Sequence, residues 1–355
     1  MIVTIGKKII DSEKLFEKPY IIAEAGVNHE GNLEKAKLMI RQAKDGGADA
    51  IKFQAYKAEL LAARNSPAYW DMAMESSKSQ YELFRKYDNF WKKEYEELWH
   101  YSQEIGIEFL ATPFDFESAD FLDPLLVAYK IASADINNLP FLRHIARKGK
   151  PVILSTGAST ISEIWRAIET LKAESNEEVI LLHCVLNYPT LYTNANLAMI
   201  SDMRKKFSGY IIGYSDHTLA HKVVEVFSSA WLLGAQIIEK HFTYDKSLKG
   251  NDHYHSMDMD DLRKVVTSLS QIYEMLGNTE KRYLESEEVA RRNARRSLVA
   301  LRNIKKGELI TSNDIAIKRP GTGVPPELFY QVIGSVAARD IDKDEVLKFG
   351  DFSEI

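Results

Sequence analysis

Two histidines near the ends of successive apolar stretches are the best candidates for chemistry. His217 follows the stretch 210–216 (YIIGYSD), and His241 lies in the stretch 237–243 (IIEKHFT). If both stretches are parallel strands, their carboxyl ends meet at the edge of the sheet where ligands bind. Two imidazoles there suit Mn²⁺, Zn²⁺, Co²⁺ or Fe²⁺ better than Ca²⁺, and they leave positions for substrate or water. The alternative is a pair of histidines that only form hydrogen bonds.

A further histidine pair lies in the short segment His253-Tyr254-His255. It either adds a third imidazole to the metal site or forms an exposed or substrate-facing pair. The sequence leaves both roles open.

The other apolar stretches also become polar at their ends. Lys52 and Lys130 lie within apolar runs, where an unpaired ammonium is costly to bury. Four hydroxyl residues occur at similar positions: Thr112, Ser133, Ser155 and Ser215. Any one of these hydroxyls is more often a helix cap than a ligand contact. Together, point charges and hydroxyl donors suit a small anion that carries phosphate and carboxylate groups.

Eight strand candidates would position these side chains. They are 20–26, 50–56, 108–114, 128–133, 151–157, 179–185, 210–216 and 237–243. Most are separated by stretches of helical period, such as 33–48 and 161–175, and Gly46 and Gly106 are placed to cap helices. Strand–helix alternation over eight units predicts a closed (β/α)₈ TIM barrel. An open doubly wound sheet is the alternative, but no G-x-G-x-x-G opens the first helix.

The domain organisation follows from changes in composition along the chain. We expect a catalytic barrel over 1–277 that starts with a β-hairpin at 2–10, which would plug the bottom of the barrel. A charged linker at 278–296 and a small β-rich domain at 297–355 follow. The long, aromatic-rich connection 57–90 is expected to cover the site or to form an interface.

Composition excludes several classes of protein. The 355 residues are 45% hydrophobic and 27% charged, with a net charge of −5, which argues against a nucleic-acid binder. The basic run 291–296 (RRNARR) is expected to be a solvated linker face. The chain has a single cysteine, Cys184, which fits a reducing compartment. Its apolar neighbours predict that the thiol is packed in a buried strand. No signal-like start and no apolar run of roughly 20 residues occurs, so we expect a cytoplasmic protein without membrane contact.

Several motifs together resemble the sialic acid synthase family, which includes N-acetylneuraminate, legionaminic acid and pseudaminic acid synthases. In chain order they are IIAEAGVNHEGNLEKA, IKFQ, FLATPFD, YKIASADINN, PVILSTG, LLHCVLNYPT, IGYSDHT and IEKHFT. The block with KKGE and KRPGTGVPP resembles the antifreeze-like (SAF) domain of those enzymes. The resemblance covers nearly the whole chain.

The resemblance implies a metal-dependent transferase. It would condense phosphoenolpyruvate (PEP) with an N-acylmannosamine-type aldose, giving a nonulosonic (sialic-type) acid and phosphate with C–O cleavage. His217 and His241 would hold the metal, most often Mn²⁺, with Mg²⁺ or Co²⁺ as alternatives. PEP would lie against Lys52, Thr112, Lys130, Ser133, Ser155 and Ser215, and the catalytic groups would be Glu24, Lys52 and Lys130. The sugar would contact Glu24, Gln54, Asp135, Tyr188, Asp252 and Arg319. Arg319 would reach a partner's site, which makes the enzyme a domain-swapped homodimer.

Four positions depart from the commonest family pattern, and all are expected around the sugar. Asp135 replaces a frequent glutamate, Lys240 replaces a common arginine, Leu186 replaces a polar residue, and 248–258 lacks a Pro-Gly-Pro-Asp form. These departures do not change the expected reaction class, but they leave the identity of the sugar open. Alternatives are a synthase acting on legionaminic, pseudaminic or phosphorylated acceptors, a metal-dependent pyruvate aldolase, and a carbohydrate-binding protein without activity.

Overall fold

The computed structural model describes residues 1–70, 72, 75–250 and 252–353. The chain divides into two compact units, Met1–Gly277 and Asn278–Ile355. The first unit holds ten strands and ten α-helices, and the second holds two of each among the described residues. No helix in the described part of the chain is both long and apolar enough to cross a bilayer.

Eight parallel strands form the sheet of the first unit, which confirms the predicted barrel. They are β3 (Tyr20–Gly26), β4 (Ala50–Ala55), β5 (Glu108–Pro113), β6 (Tyr129–Ile131), β7 (Val152–Ser155), β8 (Val179–Cys184), β9 (Ile211–Asp216) and β10 (Ile237–His241). Strand β10 pairs in parallel with both β9 and β3, so the last and first barrel strands are neighbours. Strands β5 and β6 lie side by side at the remaining seam.

Helices connect the strands. They are α1 (Leu33–Gly46), α2 (Ala58–Leu61), α3 (Gln80–Tyr87), α4 (Lys92–Ile105), α5 (Phe116–Leu122), α6 (Leu139–Ala146), α7 (Ile161–Lys172), α8 (Ala198–Lys206), α9 (Val223–Leu232) and α10 (Met259–Leu276). Gly106 caps α4 in the left-handed conformation, as its position predicts. On α1 the prediction is wrong by one residue, because Gly47, with φ 93°, is the cap and Gly46 is still helical.

The N-terminal hairpin consists of β1 (Ile2–Ile5) and β2 (Lys8–Asp11). Its buried residues Val3, Ile5 and Ile10 pack against the residues that begin the barrel strands, including Ile22 and Ile237. An apolar cluster therefore fills the amino-terminal end of the barrel.

The second unit begins with an exposed segment that contains α11 (Glu288–Ala294), where a linker is predicted. Strands β11 (Ser297–Ala300) and β12 (Ile315–Lys318) pair antiparallel, and α12 (Phe329–Val332) follows. One ion-pair arrangement occurs twice with the same spacing: Arg302 contacts Glu308 and Asp314, and Arg339 contacts Glu345 and Asp351. The small unit therefore contains two similar halves around one apolar core.

Candidate active site

The barrel interior changes from apolar to polar within two residues on most strands. Ile22 is followed by Glu24, Ala50 by Lys52 and Leu110 by Thr112, and the pattern repeats on three further strands. Those further pairs are Ala128 and Lys130, Ile153 and Ser155, and Ile237 and Glu239. Alternate residues of a strand face the same side, so each pair places one apolar residue low and one polar residue high in the barrel. The polar residues form one layer at the carboxyl ends of the strands.

Two lysines and two glutamates form the centre of this layer. Lys52 Nζ donates to Glu24 Oε1 at 2.9 Å and to Thr112 Oγ1 at 3.0 Å. Glu239 Oε1 lies 3.9 Å from Lys52 Nζ and 3.7 Å from Lys130 Nζ. All four charged side chains are nearly fully buried. The two carboxylates thus offset the desolvation free energy of the two buried ammonium groups.

The charges in this layer depend on one another. Burial alone would raise the pKa of Glu239, but Lys130 and Lys52 outweigh it and hold that pKa below its usual 4.5. Burial lowers the pKa of Lys130, and the nearby Lys52 lowers it further, while Glu239 opposes both. Glu239 is therefore ionised and is the main counter-charge of Lys130.

The predicted hydroxyl residues lie around these charges. Ser215 Oγ donates to Glu239 Oε1 at 3.2 Å, and Ser133 Oγ accepts from the Gly157 amide at 2.9 Å. A Cβ at Gly157 would lie 2.9 Å from Ser133 Oγ, so this close approach requires glycine. Ser155 Oγ is buried and has no hydrogen-bond partner among the described residues. The structure thus brings the predicted anion-binding residues together at one barrel mouth.

His217 and His241 also meet there, because each follows or ends one of two neighbouring strands. Their ring centroids are 5.3 Å apart. The Nδ1 atom of His217 lies 2.8 Å from the carbonyl oxygen of Val185, a contact that orients the ring and leaves Nε2 for a ligand. The Nδ1 atom of His241 lies 3.1 Å from both Glu24 Oε2 and Asp252 Oδ2.

A second group of metal-type donors shares His241. The ligand atoms of His241, Asp252 and His255 all lie within 4.8 Å of one another. His253 and His255 are both fully buried, so the alternative of an exposed pair is wrong. Burial lowers the pKa of His255 well below 6.5, whereas Glu24 and Asp252 outweigh burial and raise the pKa of His241.

Several buried polar atoms at the mouth lack a hydrogen-bond partner among the residues that the structure describes. They are Glu239 Oε2, Ser155 Oγ and both ring nitrogens of His255. Unsatisfied buried polar atoms are rare in native proteins and cost about 1–3 kcal/mol each. Their convergence at one place fits a polar ligand and a cation, and imidazole and carboxylate donors suit a divalent transition metal.

The residues expected around the sugar differ in their contacts. Gln54 Nε2 donates to Glu24 Oε1 at 3.1 Å, and the ring of Tyr188 lies 4.2 Å from that of His217. Asp135, in the turn after β6, accepts a hydrogen bond from Asn138 Nδ2 at 3.3 Å. Arg319 is exposed and follows β12 in the second unit.

The connection 57–90 reaches the mouth through Tyr69. Its ring lies 6.4 Å from that of Tyr188, in an edge-on arrangement. Part of this connection, residues 71, 73 and 74, lies outside the described residues.

Sequence reasoning gave no role to two features of the site. Glu239 contacts both lysines and Ser215, and its position two residues before His241, on the same strand face, was a usable signal. Asp216 and Lys240 form a fully buried ion pair of 2.7 Å, and Lys240 also donates to the carbonyl oxygen of Thr218. This pair fixes the turn that carries His217.

Two known protein families match this chain. The model described as "NeuB family" matches residues 39–281, and that described as "SAF domain" matches residues 295–353. The chain belongs to the NeuB family. This confirms the resemblance found in the sequence, and the second unit of this NeuB-family enzyme contains a SAF domain.

Curated relatives match the NeuB-family chain over nearly its whole length. The N,N'-diacetyllegionaminic acid synthase of Campylobacter jejuni is 37% identical over 94% of this chain and 99% of its own. The pseudaminic acid synthase of the same species is 35% identical over 95% of this chain and 97% of its own length. A solved N-acetylneuraminic acid synthetase of Leptospira borgpetersenii, in complex with citrate, superposes with a TM-score of 0.71 at 37% identity, covering 82% of this chain and 95% of that one.

Proposed function

We propose that this chain condenses phosphoenolpyruvate with an N-acylated amino-sugar aldose to give a sialic-type 2-keto-3-deoxy acid and phosphate. The observation that carries the proposal is the adjacency of two buried lysines, a set of hydroxyls and two histidines at one barrel mouth. The names of the relatives support an acid synthase, but they differ in the acid that is made.

In the proposed reaction, the methylene carbon of phosphoenolpyruvate bonds to the aldehyde carbon of the open-chain sugar. Water adds to the carbon that carries the phosphate. The bond between that carbon and the bridging oxygen then breaks, so phosphate leaves and a ketone remains. Atoms balance because one water is consumed for each phosphate that is released.

The lysines and hydroxyls would bind the phosphate and carboxylate of phosphoenolpyruvate. Each ammonium carries three donors, and those of Lys130 have only the Ile131 carbonyl as a hydrogen-bond partner among the described residues. The buried Ser155 Oγ would complete this donor set. Preorganised donors of this kind also stabilise the charge of the leaving phosphate.

His217 and His241 would hold a divalent metal, for which we propose Mn²⁺, with Mg²⁺ or Co²⁺ as alternatives. A metal bound there would act as a Lewis acid on the aldehyde oxygen of the acceptor. Glu24 would orient the reacting groups, since it accepts from both Lys52 and Gln54 and lies 3.1 Å from His241. Tyr188 and Asp252, which contact the histidines, would line the acceptor side.

The test is phosphate release from phosphoenolpyruvate with Mn²⁺ and a panel of N-acylated hexosamines, with products identified by mass. In ¹⁸O-labelled water the released phosphate should carry no label, because the C–O bond is the one that breaks. Label in the phosphate would mean P–O cleavage, and a product formed from pyruvate without phosphate release would mean an aldolase.

His217→Ala and His241→Ala are the corresponding variants. We expect each to lose turnover with little change in thermal unfolding, because both rings lie at the mouth rather than in the apolar core. His221→Ala, on the turn after β9 and outside the site, is a matched control that should stay active. Near-normal turnover of either site variant in metal-replete buffer would contradict the proposed metal site.

A further inference from the structure

His255 is the buried imidazole at the mouth to which the proposed reaction gives no role. It lies in the turn His253–His255 between β10 and α10, and its side chain is fully buried. Within the described part of the chain, neither of its ring nitrogens has a hydrogen-bond partner. A neutral imidazole has one donor and one acceptor, so both are left unsatisfied, which is costly at a buried position.

The surroundings of His255 point to a cation. Its ring lies 5.0 Å from the ring of His241, and its Nε2 lies 3.7 Å from Asp252 Oδ1. Asp252 also approaches His241, at 3.1 Å, so one carboxylate lies between two imidazoles. The three ligand atoms lie within 4.8 Å of one another, close enough to surround a single ion.

The neighbouring histidine is a useful contrast. His253 is equally buried, but its Nδ1 lies 2.7 Å from Thr243 Oγ1, so the ring is held by a protein hydrogen bond. It does not belong to the three-residue donor group. Burial alone therefore does not explain the two unpartnered nitrogens of His255.

We propose that His255 is a third protein ligand of the metal, next to His241 and supported by Asp252. The metal would then have His241, His255 and Asp252 around it, the three residues whose ligand atoms lie within 4.8 Å of one another. This inference rests on the proposed function only for the presence of the metal. An additional protein ligand leaves fewer positions open and predicts tighter retention of the ion when substrates are absent.

The experiment measures Mn²⁺ binding to the full chain without substrates, from the electron paramagnetic resonance signal of free Mn²⁺. His255→Ala should weaken binding by at least about tenfold, the loss that even an outer-sphere partner of a ligand produces. His253→Ala should leave it nearly unchanged. Thermal unfolding without metal reports whether each variant is folded.

A second variant gives a positive signal. Cysteine at this position, in His255→Cys, should add a sulfur-to-cobalt charge-transfer band when Co²⁺ is added, compared with wild-type protein, whose one thiol, Cys184, lies 3.8 Å from His217 Nδ1. Unchanged Mn²⁺ affinity in His255→Ala, or no such band in folded His255→Cys, would overturn the role of His255. In that case the proposed function stands if His241→Ala still loses Mn²⁺. Wild-type protein that binds no metal at all would overturn both.

Discussion

At the residue scale, Glu239 determines the charge balance of the mouth. It lies between Lys52 and Lys130 and accepts from Ser215, and its second carboxylate oxygen has no hydrogen-bond partner in the described ranges of the chain. A buried ion pair contributes little net stability, but removal of one partner leaves an uncompensated charge.

Glu239→Gln should therefore lower the free energy of unfolding by about 3 kcal/mol near neutral pH, because it leaves the lysines with less counter-charge at almost unchanged volume. Urea unfolding measures this effect. Inorganic phosphate should stabilise the variant more than wild type, since it restores negative charge near the lysines. Glu287→Gln, in an exposed turn of the second unit, is the control and should change nothing. Equal stability of the two variants would refute the assigned role of Glu239.

Asp135 gives a prediction about pH. Burial raises its pKa above the usual 3.8, and the hydrogen bond from Asn138 offsets this only in part. The folded state thus keeps the Asp135 proton to higher pH than the unfolded state, so this residue's contribution to stability falls as pH rises from 3.8 through the raised value. Asp135→Asn cannot ionise and escapes that loss.

We therefore expect Asp135→Asn to be more stable than wild type near neutral pH, and the difference to shrink on acidification toward pH 3.8. Thermal unfolding of both proteins across this range measures it. A stability difference that does not vary with pH would show that Asp135 ionises normally in the folded protein.

At the element scale, the N-terminal hairpin closes the barrel end opposite the site. Ile5 is 1% exposed and packs against the beginnings of the barrel strands, whereas Ile9, in the same hairpin, is 62% exposed. These two isoleucines differ in little except burial.

Ile5→Ala should cost about 2–5 kcal/mol of unfolding free energy, through lost burial and the cavity that remains. Ile9→Ala should stay within about 0.5 kcal/mol of wild type. Chemical denaturation of the two variants provides the comparison. Similar losses in both would mean that the hairpin does not serve as part of the core.

At the scale of the whole molecule, the second unit, which contains the SAF domain, carries one residue expected to contact the sugar, Arg319. From the family resemblance we propose that Arg319 would reach the active site of a partner in a domain-swapped homodimer. Arg319 is exposed within its own unit, directly after β12, which leaves the guanidinium accessible to a partner.

Arg319→Ala should lower kcat/KM for the acceptor sugar and leave the free energy of unfolding unchanged. Lys318→Ala, which removes the adjacent exposed cation, should leave kcat/KM unchanged. Mixing inactive His241→Ala chains with Arg319→Ala chains should restore activity after subunit exchange, because one complete site forms per mixed dimer. A mixture no more active than its parts, although mixed dimers form, would place Arg319 outside the partner's site.

Much of this architecture could be predicted from short-range patterns. Strand–helix alternation and the apolar-to-polar step at strand ends indicated the barrel and the side of it that carries the chemistry. Helix ends were less certain: Gly46 and Gly47 are chemically identical, and packing against Leu262 and Val266 in α10 distinguishes them. The role of Glu239 was missed because its two lysine partners lie on β4 and β6, far away in the chain.

The sequence by itself determined which residues could meet: the strand-end lysines, hydroxyls and histidines, together with the family. It did so because a strand's period of two and a parallel sheet send those side chains to one barrel end. Only the tertiary structure decided which of them touch. The β10–β3 register places His241 beside Glu24, and the turn before α10 brings His255 and Asp252 to the same place. Distances across a closed barrel depend on register and loop path, which no local pattern encodes.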